Sequence, residues 1–186
     1  ISLDAMGGDA APDAVVGGAA IARERHPGLR FLLVGDQQAI TPILSRHAEL
    51  KDAVELRHTE VAVKSTDRPS QALRQGRQSS MRLAIDAVAR GEANGIVSAG
   101  NTGALMAMSR FVLKAMPGID RPAICSFLPT QRGESAMLDL GANVACDKDN
   151  LIQFAIMGAA FVRTVLGLPR PSVGLLNVGE EEMKGN

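Results

Sequence analysis

The chain has 186 residues, 46% of them hydrophobic, with 20 basic and 20 acidic side chains and an aromatic content of 3% that includes no Trp or Tyr. That is enough apolar material for one full core, while the balanced charge excludes a global pull toward nucleic acid or an anionic membrane, and the missing aromatic side chains argue against base-stacking platforms. The two cysteines, Cys125 and Cys146, are too few and too scattered for a disulfide framework or a four-ligand zinc site and fit a reducing cytoplasm.

In chain order, Ile1 to Met6 predicts a first strand, turned by Gly7, Gly8 and Asp9. Pro12 suits the first position of a helix that runs to Arg25 and stops at Pro27 and Gly28. Arg30 to Val34 predicts a second strand, Gln38 to His47 a second helix and Val54 to His58 a third strand. Ser65 to Ser80 is polar, with Arg68, Arg74 and Arg77, and reads either as a functional flap or as solvated surface. Met81, Ala84, Ile85 and Val88 recur at helical spacing, with Arg82, Asp86 and Arg90 on the opposite face and Gly91 as the stop.

Gly95 to Gly103, GIVSAGNTG, organises the middle of the chain: a buried strand at Ile96 and Val97, a turn containing Gly100 and Gly103, and a helix from Thr102 to Met116. That helix is apolar nearly all round and is expected to be buried on most of its surface. Pro122 to Pro129 and Ser135 to Leu140 predict two strands. Their connection, Thr130 to Gly133, is too short for a helical crossover and dictates an antiparallel hairpin. Asp147 and Asp149 suit a helix start, with Gly167 as its stop, and Phe154 to Val162 is expected to be buried in it, being far short of the roughly 20 residues that span a bilayer. Ser172 to Val178 predicts a last strand without the crossover that would cover it, so the chain is expected to be the N-terminal part of a longer one. No linker interrupts the pattern, and residues 1–186 are expected to form a single α/β domain. No signal-peptide pattern is present.

The same grammar, strand then glycine turn, returns in LDAMGGD, FLLVGD, VSAGNTG, MLDLGAN and LLNVGEE. In a parallel sheet such turns gather unpaired N–H groups at the carboxyl edge, where anions bind. A shared anionic site built from several loops is therefore expected.

The motifs DAMGGD (Asp4 to Asp9), PSQALR (Pro69 to Arg74), SSMRLAI (Ser79 to Ile85), VSAGNTGALMA (Val97 to Ala107), PGIDRPAI (Pro117 to Ile124), LDLGANV (Leu138 to Val144) and VGLLNVGEEEMKGN (Val173 to Asn186) resemble those of the bacterial PlsX family of phosphate acyltransferases. The resemblance spans essentially the whole chain, with departures at Ala10 to Pro12 and in Val61 to Arg68. It implies transfer of a long-chain acyl group from acyl carrier protein to inorganic phosphate, giving acyl phosphate for phospholipid synthesis. It also implies a three-layer α/β/α fold with a mostly parallel sheet, similar to that of isocitrate and isopropylmalate dehydrogenases. Further implications are a homodimer and a cytoplasmic enzyme in loose peripheral contact with the membrane, where a downstream acyltransferase uses the product.

Phosphate is itself the nucleophile in such a reaction, so neither a covalent enzyme intermediate nor a cofactor or metal is expected. What the chemistry needs is positioning and stabilisation of a tetrahedral oxyanion. Gly8, Gly100, Asn101, Thr102, Gly103, Gly141 and Gly179 are the candidate substrate-binding residues, and Asn143, Lys184 and Asn186 the candidate catalytic ones. Each has a plainer reading. Asn101 and Asn143 can hydrogen-bond their own turns, and Lys184 can be an exposed lysine. Glu180, Glu181 and Glu182 fit a helix start better than general bases. Cys125 fits a small core residue, and Asp4 and Asp9 fit turn caps rather than metal ligands. The histidines, His26, His47 and His58, fit surface positions. Arg74, Arg77 and Arg82 are candidates for meeting the acidic carrier protein, against a reading of generic solubility. A dinucleotide-dependent dehydrogenase is the alternative enzyme, but GGDAAP after the first strand lacks the GxGxxG spacing; a non-catalytic module is the third reading.

Overall fold

The run Phe31–Gly35 is buried at every position, as a strand covered on both faces must be. This strand, β2, and β1 (Ser2–Asp4) form the middle of a four-stranded, wholly parallel sheet, flanked by β3 (Val54–His58) and β4 (Ile96–Val97) in the order β3-β2-β1-β4. The register places Leu3 beside Leu33 on one side and Val97 on the other. The computed structural model describes residues 1–143 and 145–176. The chain divides into two units, Ile1–Ala115 and Met116–Asn186, and the sheet belongs to the first.

Alternation along the strands decides which helices cover each face. Leu3, Phe31 and Leu33 meet Val16, Ala19 and Ala20 of α1 (Asp13–Arg25) and Ile40 of α2 (Gln37–Leu44). Leu32 and Val34 point the other way, onto Ala84 and Ala87 of α4 (Ser80–Ala89). Each fully buried Val, Leu, Ile or Phe side chain among these contributes about 1.5–3 kcal/mol, and each alanine methyl less. A further layer packs on α4: Ala72 of α3 (Pro69–Gln75), Met81, Ile85, and Ala104 and Met108 of α5 (Thr102–Leu113) close one apolar cluster. Ser79 caps α4, accepting from the Arg82 N–H at 3.2 Å, and Gly91, with φ +73°, ends that segment.

The second unit contains the expected hairpin. Its strands, β5 (Cys125–Thr130) and β6 (Gly133–Leu138), pair antiparallel with Cys125 opposite Leu138 and Thr130 opposite Gly133. The helix α6 (Lys148–Val165) follows, opened by a capping box in which Asp147 and Asn150 each take up the other's backbone N–H.

Several expectations are corrected. The polar Ser65 to Ser80 stretch contains a helix, α3, started by Pro69 at a position that needs no N–H; Ala72 anchors it, and Ser79 and Ser80 are buried. The helix expected to reach Met116 stops at Leu113, because Lys114 adopts a left-handed φ of 65°. Only Ala104 and Met108 of α5 are fully buried, and Phe111 is 62% exposed, so a helix apolar nearly all round is covered on one side. In α6, Phe154 and Val162 are buried but Ile156 is 60% exposed. Cys125 is half-buried rather than fully in a core, and burial pushes its thiol pKa up. Residues 172–176 form no strand, and 177 and 178 lie outside the described residues.

At the outer edge, Arg57 of β3 reaches across to Glu92 just past α4 at 2.8 Å, and Arg90 holds the same carboxylate at 2.6 Å. The hydrogen bonds from Arg90 and then from Arg57 pull the Glu92 pKa down to about 2 from its ordinary 4.5. A depressed carboxylate pKa stabilises the fold fully above the unfolded-state value and loses that contribution as pH falls toward the folded one. Glu92→Gln in the full-length protein should therefore lower the thermal midpoint at pH 7, with the difference from wild type shrinking as the pH falls from about 4.5 toward 2. A difference that stays constant between pH 7 and pH 3 would contradict the clamp.

Candidate functional site

Sequence places a carboxylate, Asp4, at the last position of β1, where an apolar residue would be ordinary. The side chain is 2% exposed. A buried carboxylate needs donors, and two serines from distant parts of the first unit supply them. Ser80, at the start of α4, donates to Oδ1 at 2.5 Å, and Ser98, just past β4, donates to Oδ2 at 2.7 Å. The Ser98 oxygen in turn accepts the Gly100 N–H at 3.1 Å. One carboxylate thus joins the end of the central strand, the start of a helix and the turn after the edge strand.

The two glycine turns of the first unit consequently lie against each other. A Cβ on Gly7 would stand 2.5 Å from the Asp4 carboxylate, and one on Gly8 would stand 3.0 Å from the Ala99 carbonyl oxygen. A Cβ on Gly100 would approach the Gly7 Cα to 3.3 Å. Gly8 also carries φ +99°, which side-chain-bearing residues rarely adopt. Only glycine lets both backbones come this close.

From that turn α5 begins. Its cap, Asn101, accepts the Ala104 N–H at 3.0 Å through Oδ1. Its Nδ2 donates to the carbonyls of Lys64, Ser65 and Asp67 at 3.3, 3.1 and 2.8 Å. Both ends of the carboxamide are engaged with backbone, one holding the helix and the other the loop before α3. Pro69 seals the join, since a Cβ on Gly103 would meet its ring at 2.7 Å. The first N–H groups of a helix have no intrahelical acceptor. With that of Ala104 capped, Thr102 and Gly103, both exposed, offer theirs at the positive end of the α5 dipole. This edge can receive an anion through main-chain donors next to Gly8.

Gly8, Gly100, Asn101, Thr102 and Gly103 are therefore drawn into one region. Gly141 and Asn143 belong to the second unit. There Gly141 is a left-handed turn residue, φ +86°. Asn143 donates its backbone N–H to Asp139 at 2.6 Å and its Nδ2 to the Pro122 carbonyl at 2.9 Å, while Asp139 also accepts the Ile124 N–H at 2.7 Å. Asp139 and Asn143 thus tie the strand end to the chain before β5. Gly179, Lys184 and Asn186, with Glu180, Glu181 and Glu182, lie outside the described residues.

The arginine candidates separate. Arg74 and Arg77 are exposed, and Arg74 lines a shallow cleft of about 410 Å³ with Arg68, Ser70, Gln71 and Gln75. Arg82 is instead held by Asp86 at 2.9 Å, one turn along α4, and lies 5.6 Å from the ring centre of Phe111. Its charge is already met within the first unit. His26 and His58 are exposed, and His47 pairs with Glu49 at 3.0 Å. Asp9 is exposed on its turn. Among the described residues no group of three His, Cys, Asp or Glu side chains is arranged to hold a metal ion, and no helix is long and apolar enough to cross a membrane.

Sequence reasoning assigned Asp4 to its own turn and missed its two serine partners, 76 and 94 residues away. The available signal was an acidic residue closing an apolar strand, together with a serine pair opening an apolar helix.

Comparison with known proteins aligns the whole chain. The family described as "Fatty acid synthesis protein" matches residues 1–186. A protein of Rhodospirillum centenum named "Phosphate acyltransferase" is 66% identical over 186 residues, covering 100% of this chain and 52% of the relative. Proteins of the same name from Paramagnetospirillum magneticum and Rhodospirillum rubrum are 60% and 57% identical, again over 100% of this chain and 53% of their own lengths. The chain spans about half the length of these curated relatives.

The double duty of Asn101 is separable by substitution. Asn101→Ala should cost about 1–2 kcal/mol of stability, as loss of a helix cap does, and should open the loop to tryptic cleavage after Lys64. Asn101→Asp keeps an acceptor for the Ala104 N–H but has no donors for the three carbonyls, so it should recover the stability and remain cleavable. Cleavage at Lys64 as slow as in wild type for both variants would show that Asn101 does not hold the loop.

Proposed function

The chain belongs to the fatty acid synthesis protein family, that of the PlsX phosphate acyltransferases, and from that premise we propose that the protein moves a fatty acyl group from the thioester of acyl carrier protein to inorganic phosphate. The observation that carries this reading is identity of 57–66% across the whole chain to proteins named "Phosphate acyltransferase". The packed pair of glycine turns at the head of α5 supports it, since a small oxyanion is the ligand such an edge suits.

In this reading phosphate occupies the edge formed by Gly8, Gly100, Thr102 and Gly103, with main-chain N–H groups as its donors. One of its oxygens attacks the thioester carbon, the carbonyl oxygen gathers charge in a tetrahedral intermediate, and the carrier thiolate leaves as acyl phosphate forms. Lys184 is proposed as the cation that offsets the developing charge, with Asn186 as a neutral donor. Asn101 acts by holding α5 and its covering loop. No side-chain nucleophile is required: Cys125 has a raised pKa, which disfavours its thiolate.

The finer fold likeness to isocitrate and isopropylmalate dehydrogenases is part of this proposal, as are a homodimer, a cytoplasmic location and a peripheral membrane contact through which the product passes on. The acidic carrier meets the exposed arginines of α3 and the turn after it, Arg74 and Arg77. Arg82, already paired with Asp86, contributes less.

Incubating the full-length protein with palmitoyl carrier protein and labelled phosphate should yield acyl phosphate that hydroxylamine traps as the hydroxamate. An absorbance change dependent on NAD without any hydroxamate would replace the proposal with the dehydrogenase reading. Arg74→Glu with Arg77→Glu should raise the KM for the carrier substrate by about tenfold or more at low salt and progressively less at high salt, while the KM for phosphate stays within about twofold. A carrier KM indifferent to both charge reversal and salt would remove these two arginines from the docking face.

A further inference from the structure

We infer that Asp4 and Ser98 are positioning residues for the phosphate substrate, acting through the backbone of the Ser98 to Gly100 turn; the inference rests on the acyltransferase reading. Neither side chain is required to touch the reacting atoms. Ser98 donates to Asp4 Oδ2 at 2.7 Å and accepts the Gly100 N–H at 3.1 Å, so one hydroxyl transmits the place of the carboxylate to the turn that leads into α5. Asp4 is immobile for its part: it is 2% exposed, ends a strand paired on both sides, and is held on its second oxygen by Ser80, itself 1% exposed. Gly7 lies against both members of the pair, a Cβ there falling 2.5 Å from Asp4 Oδ2 and 2.9 Å from Ser98 Oγ.

The arrangement has a chemical logic beyond packing. Directing the Gly100 N–H to the serine fixes which amides remain for an external anion, namely those that follow at the head of α5. The carboxylate charge, next to a candidate anion site, would repel phosphate if it faced outward. Here both of its oxygens are turned to serine hydroxyls and roofed by Gly7. Asp4 can therefore order the two turns with its charge kept off the edge. Loss of the Ser98 hydroxyl leaves the Gly100 N–H to bond elsewhere and removes the tie between turn and strand, so the donors for phosphate lose their common geometry. The effect belongs to phosphate and not to the acyl carrier, whose proposed contacts, Arg74 and Arg77, are side chains that neither Asp4 nor Ser98 bonds.

The test uses the full-length enzyme and a control that weakens the same strand-to-helix contact away from the turns. Ser2 is that control: it is fully buried in β1, and its hydroxyl donates to the Ala84 carbonyl of α4 at 2.8 Å. Ser98→Ala should raise the KM for phosphate by about tenfold, with the KM for acyl carrier protein within about twofold of wild type. Asp4→Asn should act in the same direction, and where it fails to fold Ser98→Ala carries the test alone. Ser2→Ala should lower the thermal midpoint and leave the phosphate KM unchanged. A folded Ser98→Ala enzyme whose phosphate KM is within twofold of wild type overturns the inference while the acyltransferase reading stands. An equal rise in both KM values, or a rise in Ser2→Ala as large as in Ser98→Ala, overturns it too, since a general loosening would then suffice. A wild-type enzyme that makes no acyl phosphate removes the reading and the inference together.

Discussion

Everything at the carboxyl edge of the first unit depends on a negative charge that has left water. Burying a carboxylate without donors is prohibitive, and burying one with good donors is tolerable. Asp4 can stay at the end of β1 only while Ser80 and Ser98 both point at it. The requirement runs in both directions: the hydroxyls need the carboxylate, and the segments that carry them, α4 and the turn after β4, are held where they meet it. Three pieces of chain far apart in sequence are fixed by one set of short bonds. The apolar clusters around α4 supply most of the stabilisation, but they are tolerant of small slides, whereas hydrogen bonds of 2.5 and 2.7 Å are not.

The glycines make sense against that constraint. Gly7, Gly8 and Gly100 are needed because two turns occupy space that side chains would otherwise fill. Gly103 is needed because Pro69 stands over the first turn of α5. The result is an edge made mostly of backbone, poor in side-chain chemistry and rich in directed N–H groups. Such an edge suits a reaction in which the small substrate brings its own nucleophile.

Much of this was legible in the sequence. Val54–His58 and Ile96–Val97 are strands at the residues the pattern indicated, because a short β-branched or apolar run between turn residues has few other uses. The strand expected to be buried at Ile96 and Val97 is, however, the edge strand of its sheet and leaves Val97 58% exposed. The hairpin followed from a connection too short for a crossover. The covering helix α3 was hidden because its sequence, PSQALRQ, presents only Ala72 and a half-buried Leu73 to the core; their partners include Met108 and Val63, whose positions only the tertiary fold reveals. The early end of α5 was hidden for a similar reason, since Lys114 takes a left-handed conformation without being a glycine. The glycine turns of the site were legible as types, while the link between Asp4, Ser80 and Ser98 was not, because no local rule pairs a strand-end carboxylate with serines so distant in the chain.

Asn101 grips its neighbouring loop by carbonyl oxygens alone. Carbonyls are common to all twenty amino acids, so this anchor is blind to which side chains stand at 64, 65 and 67 and reads only the route the chain takes past it. The side chains at 64 and 65 are therefore free to change and to adapt to whatever they meet, whereas Val63, buried against Ala104 and Met108 of that helix, is not. The departure of Val61 to Arg68 from the wording of the family motifs is, at those two exposed positions, what such a licence would permit.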